Sequence, residues 1–167
     1  MNNQLFIVCP FSNLEYWVKK QYGQDVLFLS VPAGLVPPSD DTFREDLKRI
    51  ITENNITEIY VANEVSNPFI QSVIDESYKR DIALLNPVAD LKEEFWMERF
   101  AGLSRQQQKL KLAELLIEQS IEMLQNISLS MQSSDFSIQI RGVVISKKAG
   151  FIKELKKMNR YKIAYGL

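Results

Sequence analysis

Apolar residues along this chain fall into short runs whose spacing alternates between two periods. Leu5-Phe6-Ile7-Val8 and Val26–Val31 are continuous and apolar, as expected of strands buried on both faces of a parallel sheet. Ile59-Tyr60-Val61 is a third run of the same kind. Ser12, with Glu15 three residues later, predicts a capping box that opens a helix to about Tyr22, ended by Gly23. Pro32-Ala33-Gly34 and Pro37-Pro38 predict a rigid, non-helical link. Ser39, Asp40 and Asp41 offer caps for a helix over Thr42–Glu53, which places Phe43, Leu47, Ile50 and Ile51 on one face before Asn54-Asn55 breaks it. Strand, helix, strand, helix, strand is the order of a parallel sheet with right-handed crossovers.

In the second half, a helix is expected from Asn67 or Pro68 to about Arg80, since Pro is well tolerated in a first turn. Ile82-Ala83-Leu84-Leu85 reads as a short strand or an extended link. Asp90–Phe100 reads as a helix whose Phe95, Trp96 and Phe100 form an aromatic group on one face, suited to a core or a subunit interface. Gln106–Asn126 predicts a long helix with apolar Leu110, Ala113, Leu116, Ile117, Ile121 and Leu124. Polar Ser128–Ser137 reads as a loop. Phe136, Ile138 and Ile140 alternate in a strand running to Ile145, and Lys147-Lys148-Ala149-Gly150 turns it toward a hairpin partner at Phe151–Leu155. Neither a repeat nor a linker divides the chain, so residues 1–167 read as one domain. The expected fold is α/β: a mostly parallel sheet of about four strands, an antiparallel C-terminal hairpin strand and flanking helices.

Composition narrows the function. At 46% hydrophobic and 25% charged residues the chain is ordinary for a soluble domain. A net charge of −1 supplies no field to gather nucleic acid or an anionic membrane. Arg105, Lys109 and Lys111 are followed by Glu114 and Glu118 on the same helix and read as a solvated face. Lys147-Lys148 and the tail Lys156–Arg160 read as surface charge. One cysteine excludes an internal disulfide, which suits the cytosol. Leu5–Cys9 is too short for a signal-peptide core, and no run approaches the roughly 20 apolar residues of a membrane span. The expectation is a cytoplasmic protein with no nucleic-acid or membrane partner. The sequons at Asn55 and Asn126 are incidental in that setting.

The chemistry-bearing residues sit at two strand ends, in Cys9-Pro10-Phe11-Ser12-Asn13 and Ala62-Asn63-Glu64-Val65-Ser66. These segments resemble the two zinc segments of the β-class carbonic anhydrases, Cys-x-Asp-x-Arg and Gly-His-x-x-Cys. Val31-Pro32-Ala33-Gly34 is similar to the family's Arg-Asn-Ala-Gly after its second strand. Ile140–Ser146 followed by Ala149–Ile152 resembles the family's C-terminal hairpin. The resemblance runs from Leu5 to Leu155 and implies a β-carbonic-anhydrase-like fold. It also implies a vestigial site. Cys9 is kept, Phe11 stands for the Asp, Asn13 for the Arg, Asn63 for the His and Ser66 for the second Cys. The chain contains no histidine. In the family two thiolates and an imidazole hold zinc, and amides and hydroxyls do not replace them. No metal site, no catalytic residue and no cofactor are therefore expected, zinc included.

The leading reading is a non-catalytic binding or regulatory scaffold, with homodimerisation implied by the resemblance. Cys9 comes too early for the family's N-terminal helical arm, so the arm-swapped form of that dimer is not expected. Ser12, Asn63 and Glu64 gather at the carboxyl ends of neighbouring strands, where small ligands of open α/β sheets bind. Such side chains serve equally as helix caps, and a lone Glu64 makes no acid–base pair. The alternative is an enzyme or redox sensor with Cys9 as a reactive thiol. Against it, no His is available as a base, Pro10 and Phe11 are apolar neighbours, and cysteine is commonly a buried core residue. An active carbonic anhydrase (a carbonate dehydratase) with displaced ligands ranks behind both.

Overall fold

The computed structural model describes residues 3–38, 40–79, 81–130 and 137–155. Its elements are β1 (Gln4–Val8), α1 (Glu15–Tyr22), β2 (Leu27–Ser30), α2 (Asp41–Glu53), β3 (Glu58–Glu64), α3 (Pro68–Ile74), α4 (Asn86–Glu94), α5 (Arg105–Ser130), β4 (Gln139–Ser146) and β5 (Phe151–Glu154). The strands form one sheet in the order β2-β1-β3-β4-β5. The first four are parallel, and β5 returns antiparallel beside β4 with Ile145 opposite Ile152. The α/β architecture with a C-terminal hairpin strand is the one expected.

The pleat explains why the strands are apolar on both sides. Leu5, Ile7, Ile59, Val61 and Val144 face a core closed by α2 and α5, while Phe6, Val8, Tyr60, Ala62, Val143 and Ile145 face α1. Period two sends alternate residues to opposite faces, and both are covered at β1 and β3. Strand β2, expected to be buried on both faces, is an edge strand with Leu27 and Ser30 exposed, because it has a strand on one side only. A third cluster joins Cys9 and Ala33 to α3, α4 and α5, with Phe69, Ile70, Val88, Leu112 and Leu116 inside it. Helix α5 thus packs on the sheet with one side and on α3 and α4 with the other. That is why Leu112 and Leu115 are fully buried alongside the expected Ala113, Leu116 and Ile117, a wider apolar surface than a single amphipathic stripe.

Several boundaries differ from expectation. Ser12 does not cap α1: its hydroxyl donates to the Cys9 carbonyl at 2.7 Å, and α1 starts at Glu15 without a side-chain cap. Asn13 has φ 49°, and this left-handed residue breaks the register a capping box needs. Asp40 does cap α2, accepting from the Phe43 N–H at 2.9 Å; Ser39 lies outside the described residues. Helix α3 stops at Ile74 because Glu76 turns left-handed, φ 54°, and the Ser77 N–H returns to the Ser72 carbonyl at 3.0 Å. Ile82–Leu85 is neither strand nor extended link. It winds through turns, with the Leu85 N–H donating to Ile82, into α4, whose first turn carries Pro87. The expected helix Asp90–Phe100 is divided, since α4 ends at Glu94 and Trp96–Phe100 forms a π-helical turn. Trp96 still stacks on Phe100 as an aromatic pair, whereas Phe95 is covered by Arg99.

The start of α5 carries a capping box absent from the sequence reading. The Ser104 hydroxyl accepts from the Gln107 N–H, and the Gln107 side chain accepts from the Ser104 N–H. The helix also runs past Asn126 to Ser130, into the stretch read as loop. Arg105 and Lys109 pair with Asp75, and Lys111 pairs with Glu114, so this basic group is matched by carboxylates. Phe136, Arg80 and the tail Lys156–Arg160 lie outside the described residues. Among the described residues no helix is long and apolar enough to cross a membrane.

Candidate functional site

The carboxyl ends of β1 and β3 lie side by side, with Ile7 opposite Val61. Cys9 and Asn63 follow from those strands, so the fold brings the two resembling segments together. Cys9 is fully buried and belongs to the cluster that includes Ala33 and Phe69. Asn63 is fully buried beside it. Ser66 is half-buried in the turn before α3. Phe11, which stands where the resembling segment has Asp, is 59% exposed, and its ring lies 5.9 Å from that of Phe69. Asn13 holds the left-handed backbone conformation that its short amide side chain tolerates.

The Asn63 carboxamide is committed within the protein. Its Nδ2 donates to the Ala33 carbonyl at 2.8 Å, and its Oδ1 accepts from the Glu64 N–H at 3.1 Å and from Asn67 Nδ2 at 2.9 Å. Asn67 in turn accepts from the Phe69 N–H at 2.9 Å and caps α3. The turn Pro32–Gly34 is held from its other side by Ser120 on α5. The Ser120 hydroxyl donates to the Gly34 carbonyl at 2.9 Å and accepts from the Val36 N–H at 3.0 Å. Ala33 and Gly34 both have positive φ, 58° and 65°, and a Cβ on Gly34 would stand 3.3 Å from Asn63 Nδ2. The retained Ala-Gly pair is therefore where the backbone turns tightly enough to meet Asn63.

A second polar group closes the same end of the sheet. Glu64 is buried, 2% exposed, and its Oε1 accepts from the Lys147 N–H at 3.4 Å. Lys147 is not plain surface charge: its ammonium donates to the Ser12 carbonyl at 2.6 Å, across 135 positions of sequence. Ser12 and Glu64 thus meet at Lys147, while Asn63 bonds to Ala33 and Asn67 in a separate group at the same end of the sheet. The structure adds Ala33, Asn67, Ser120 and Lys147, which sequence reasoning missed. The Asn63-to-Asn67 spacing, one helical turn at a strand end, was the available signal for one of these; the rest are long-range contacts.

Burial pushes the Glu64 carboxyl up from its ordinary 4.5, against the opposing pull of the Lys147 backbone N–H and charge and of the Ser66 N–H. A carboxyl whose folded value exceeds its unfolded value holds its proton more tightly when folded. Its contribution to stability is complete below 4.5 and is lost as pH rises through the raised value. Glu64→Gln keeps an acceptor for Lys147 and removes the charge. Its unfolding free energy should therefore gain on wild type as pH rises through that window. Urea unfolding at a series of pH values measures the difference, and a difference independent of pH would refute the desolvation of Glu64.

These residues do not fit a zinc ion. One thiol, one carboxamide whose oxygen already accepts two hydrogen bonds and one hydroxyl supply neither the charge nor the donor softness of a tetrahedral zinc site. Among the described residues no group of three His, Cys, Asp or Glu side chains is placed to hold a metal ion. Cys9, without exposed surface, also lacks the accessibility of a reactive thiol.

Neither a family model nor a curated protein matches the sequence. Solved structures do match the fold. The β-carbonic anhydrase CafA of Aspergillus fumigatus aligns with a TM-score of 0.76 at 18% identity, over 92% of this chain and 75% of that one. A tetrameric β-carbonic anhydrase of Sordaria macrospora gives 0.75 at 19% identity, over 92% and 80%. A Coccomyxa β-carbonic anhydrase solved with acetazolamide gives 0.68 at 17% identity, over 92% and 71%. With the parallel sheet, its antiparallel closing strand and two strand ends meeting at Cys9 and Asn63, the fold of this chain is that of the β-carbonic anhydrases.

Proposed function

We propose that this chain is a degenerate β-carbonic anhydrase that binds no zinc, does not hydrate carbon dioxide, and acts in the cytoplasm as a non-catalytic binding or regulatory scaffold. The observation that supports this most directly is Asn63. At the position of the imidazole ligand, its amide joins β3 to the Pro32–Gly34 turn and to the α3 cap through three hydrogen bonds. A side chain so engaged would have to break those bonds to turn toward a metal. Phe11 and Ser66 stand where a charged gate and a second thiolate would be needed.

Two measurements on the purified chain test the reading. Elemental analysis should find no stoichiometric zinc, and added zinc should leave the unfolding temperature unchanged, because a metal bound only by the native state raises it. Carbon dioxide hydration should stay at the uncatalysed rate. One zinc per chain that is lost in Cys9→Ser would overturn the proposal.

We further propose a homodimer. Both edge strands expose apolar side chains, Leu27 on β2 (37%) and Phe151 on β5 (36%), and Tyr16 on α1 is 70% exposed. The tetrameric assembly of the Sordaria macrospora protein is consistent with oligomerisation. Light scattering at micromolar concentration should give twice the chain mass of 19.3 kDa; a monomer mass throughout would refute the dimer.

A further inference from the structure

A cavity of about 610 Å³ opens between the end of α3, the turns that follow it, α4 and the π-helical turn, and neither Cys9 nor Asn63 lines it. Three local irregularities converge on it. Glu76 takes a left-handed backbone conformation that costs a residue with a Cβ about 1–2 kcal/mol. Trp96 opens the π-helical turn, a deformation found often at functional sites. Its ring is braced by the buried Phe100, parallel to within 5° at 6.3 Å, yet stays 38% exposed. Lys92 has a side chain only 11% exposed, but its ammonium makes long contacts: 3.4 Å to the Val73 carbonyl, 3.7 Å to Glu76 and 5.4 Å to the centre of the Trp96 ring.

We propose that this cavity binds a free α-amino acid with a large apolar or aromatic side chain. Its volume falls within the usual range for small-molecule sites, roughly 300–1,000 Å³. Val73, Ala89, Trp96 and Tyr78 give it apolar and aromatic walls, and Lys92, Glu76 and Glu93 place both signs of charge on its lining. A ligand carboxylate at hydrogen-bond distance from Lys92 would replace the long contact to Glu76 with a shorter charge-assisted bond. The Glu76 carboxylate, 79% exposed, would then accept from the ligand ammonium. The ligand side chain would lie against the partly exposed rings of Trp96 and Tyr78. A simple anion draws Lys92 away from Glu76 and gives that carboxylate nothing in return, and a simple cation meets Lys92. The zwitterion satisfies both.

Isothermal titration calorimetry with L-phenylalanine tests the proposal. Saturable binding is expected, with phenylacetate and phenethylamine each weaker by roughly tenfold or more, since each lacks one charged partner. Lys92→Met should weaken L-phenylalanine by at least about tenfold and Glu76→Gln by several-fold, while Lys148→Met, on the exposed hairpin turn, should change nothing. Should Lys92→Met fail to fold by circular dichroism, the exposed Glu76→Gln decides. No heat at millimolar L-phenylalanine would overturn the proposal, as would equal binding of phenylacetate or unchanged affinity in folded Lys92→Met. The cavity is lined by no residue of the Cys9–Asn63 group, so the outcome is independent of the zinc measurements.

Discussion

Replacing Asn63 with alanine should destabilise the protein by about 3–5 kcal/mol, a large part of the 5–15 kcal/mol typical of a whole domain. The side chain is fully buried, and its loss strands the Ala33 carbonyl, the Glu64 N–H and Asn67 Nδ2. A stranded buried group costs roughly 1–3 kcal/mol, and the small cavity left behind gives water little room to repair all three. With a denaturation slope near 2 kcal/mol/M, the urea midpoint should fall by roughly 2 M. Asn63→Asp should recover part of the loss at low pH, where a protonated carboxyl can accept from Glu64 and Asn67 and donate to the Ala33 carbonyl. It should lose that gain once ionised, when a buried charge faces that carbonyl oxygen. A shift below about 1 kcal/mol for Asn63→Ala would mean that the network holds nothing in place, and would remove the main support for Asn63 as a structural replacement of a ligand.

Gly142→Ala should destabilise by about 1–3 kcal/mol, and Gly142→Val by more. The expectation runs against the usual sign, since glycine inside a strand ordinarily weakens it and alanine restores stability. Here β4 passes directly beneath α5. A Cβ on Gly142 would stand 2.4 Å from Ile117 Cγ2 and 3.1 Å from Ile121 Cδ1, against an ordinary carbon–carbon separation of about 3.5–4.0 Å. Ile117 is fully buried, and as a β-branched residue on a helix it has essentially one rotamer, so it cannot turn aside. The double variant Gly142→Ala with Ile117→Ala removes the clash. Its destabilisation should be smaller than the sum of the two single changes by more than about 0.5 kcal/mol, the signature of directly coupled sites. Strict additivity in urea unfolding would show that α5 moves away from β4 at no cost.

Both predictions depend on contacts between distant parts of the chain, and this is where legibility in the sequence stopped. The strands at Leu5–Val8 and Ile59–Val61 were readable because short continuous apolar runs with Asn or Pro close by on either side fit strands buried on both faces. The parallel order followed from helices placed between them. The two resembling segments were readable as residues at strand ends, and the substitutions at Phe11, Asn13, Asn63 and Ser66 need no structure to be seen. Helix boundaries were read less well. The backbone reversals at Asn13 and Glu76 and the π-helical turn at Trp96 depend on packing that local propensity does not contain.

The sequence by itself determined the architecture and the side chains at the two strand ends: a thiol, an amide and a hydroxyl in segments that resemble the zinc segments of the β-carbonic anhydrases. Only the tertiary structure decided what those side chains do. Asn63 finds its carbonyl 30 residues away and Lys147 finds Ser12 across 135, and hydrogen-bond partners at such separations leave no periodic trace. The cavity around Lys92 and Trp96 is likewise made by a helix end, a turn and a helix that meet in space, each of which reads alone as an ordinary surface. Periodicity reports which face of an element is apolar; which elements meet, and what polar groups they trap between them, is set by the packing of the whole chain.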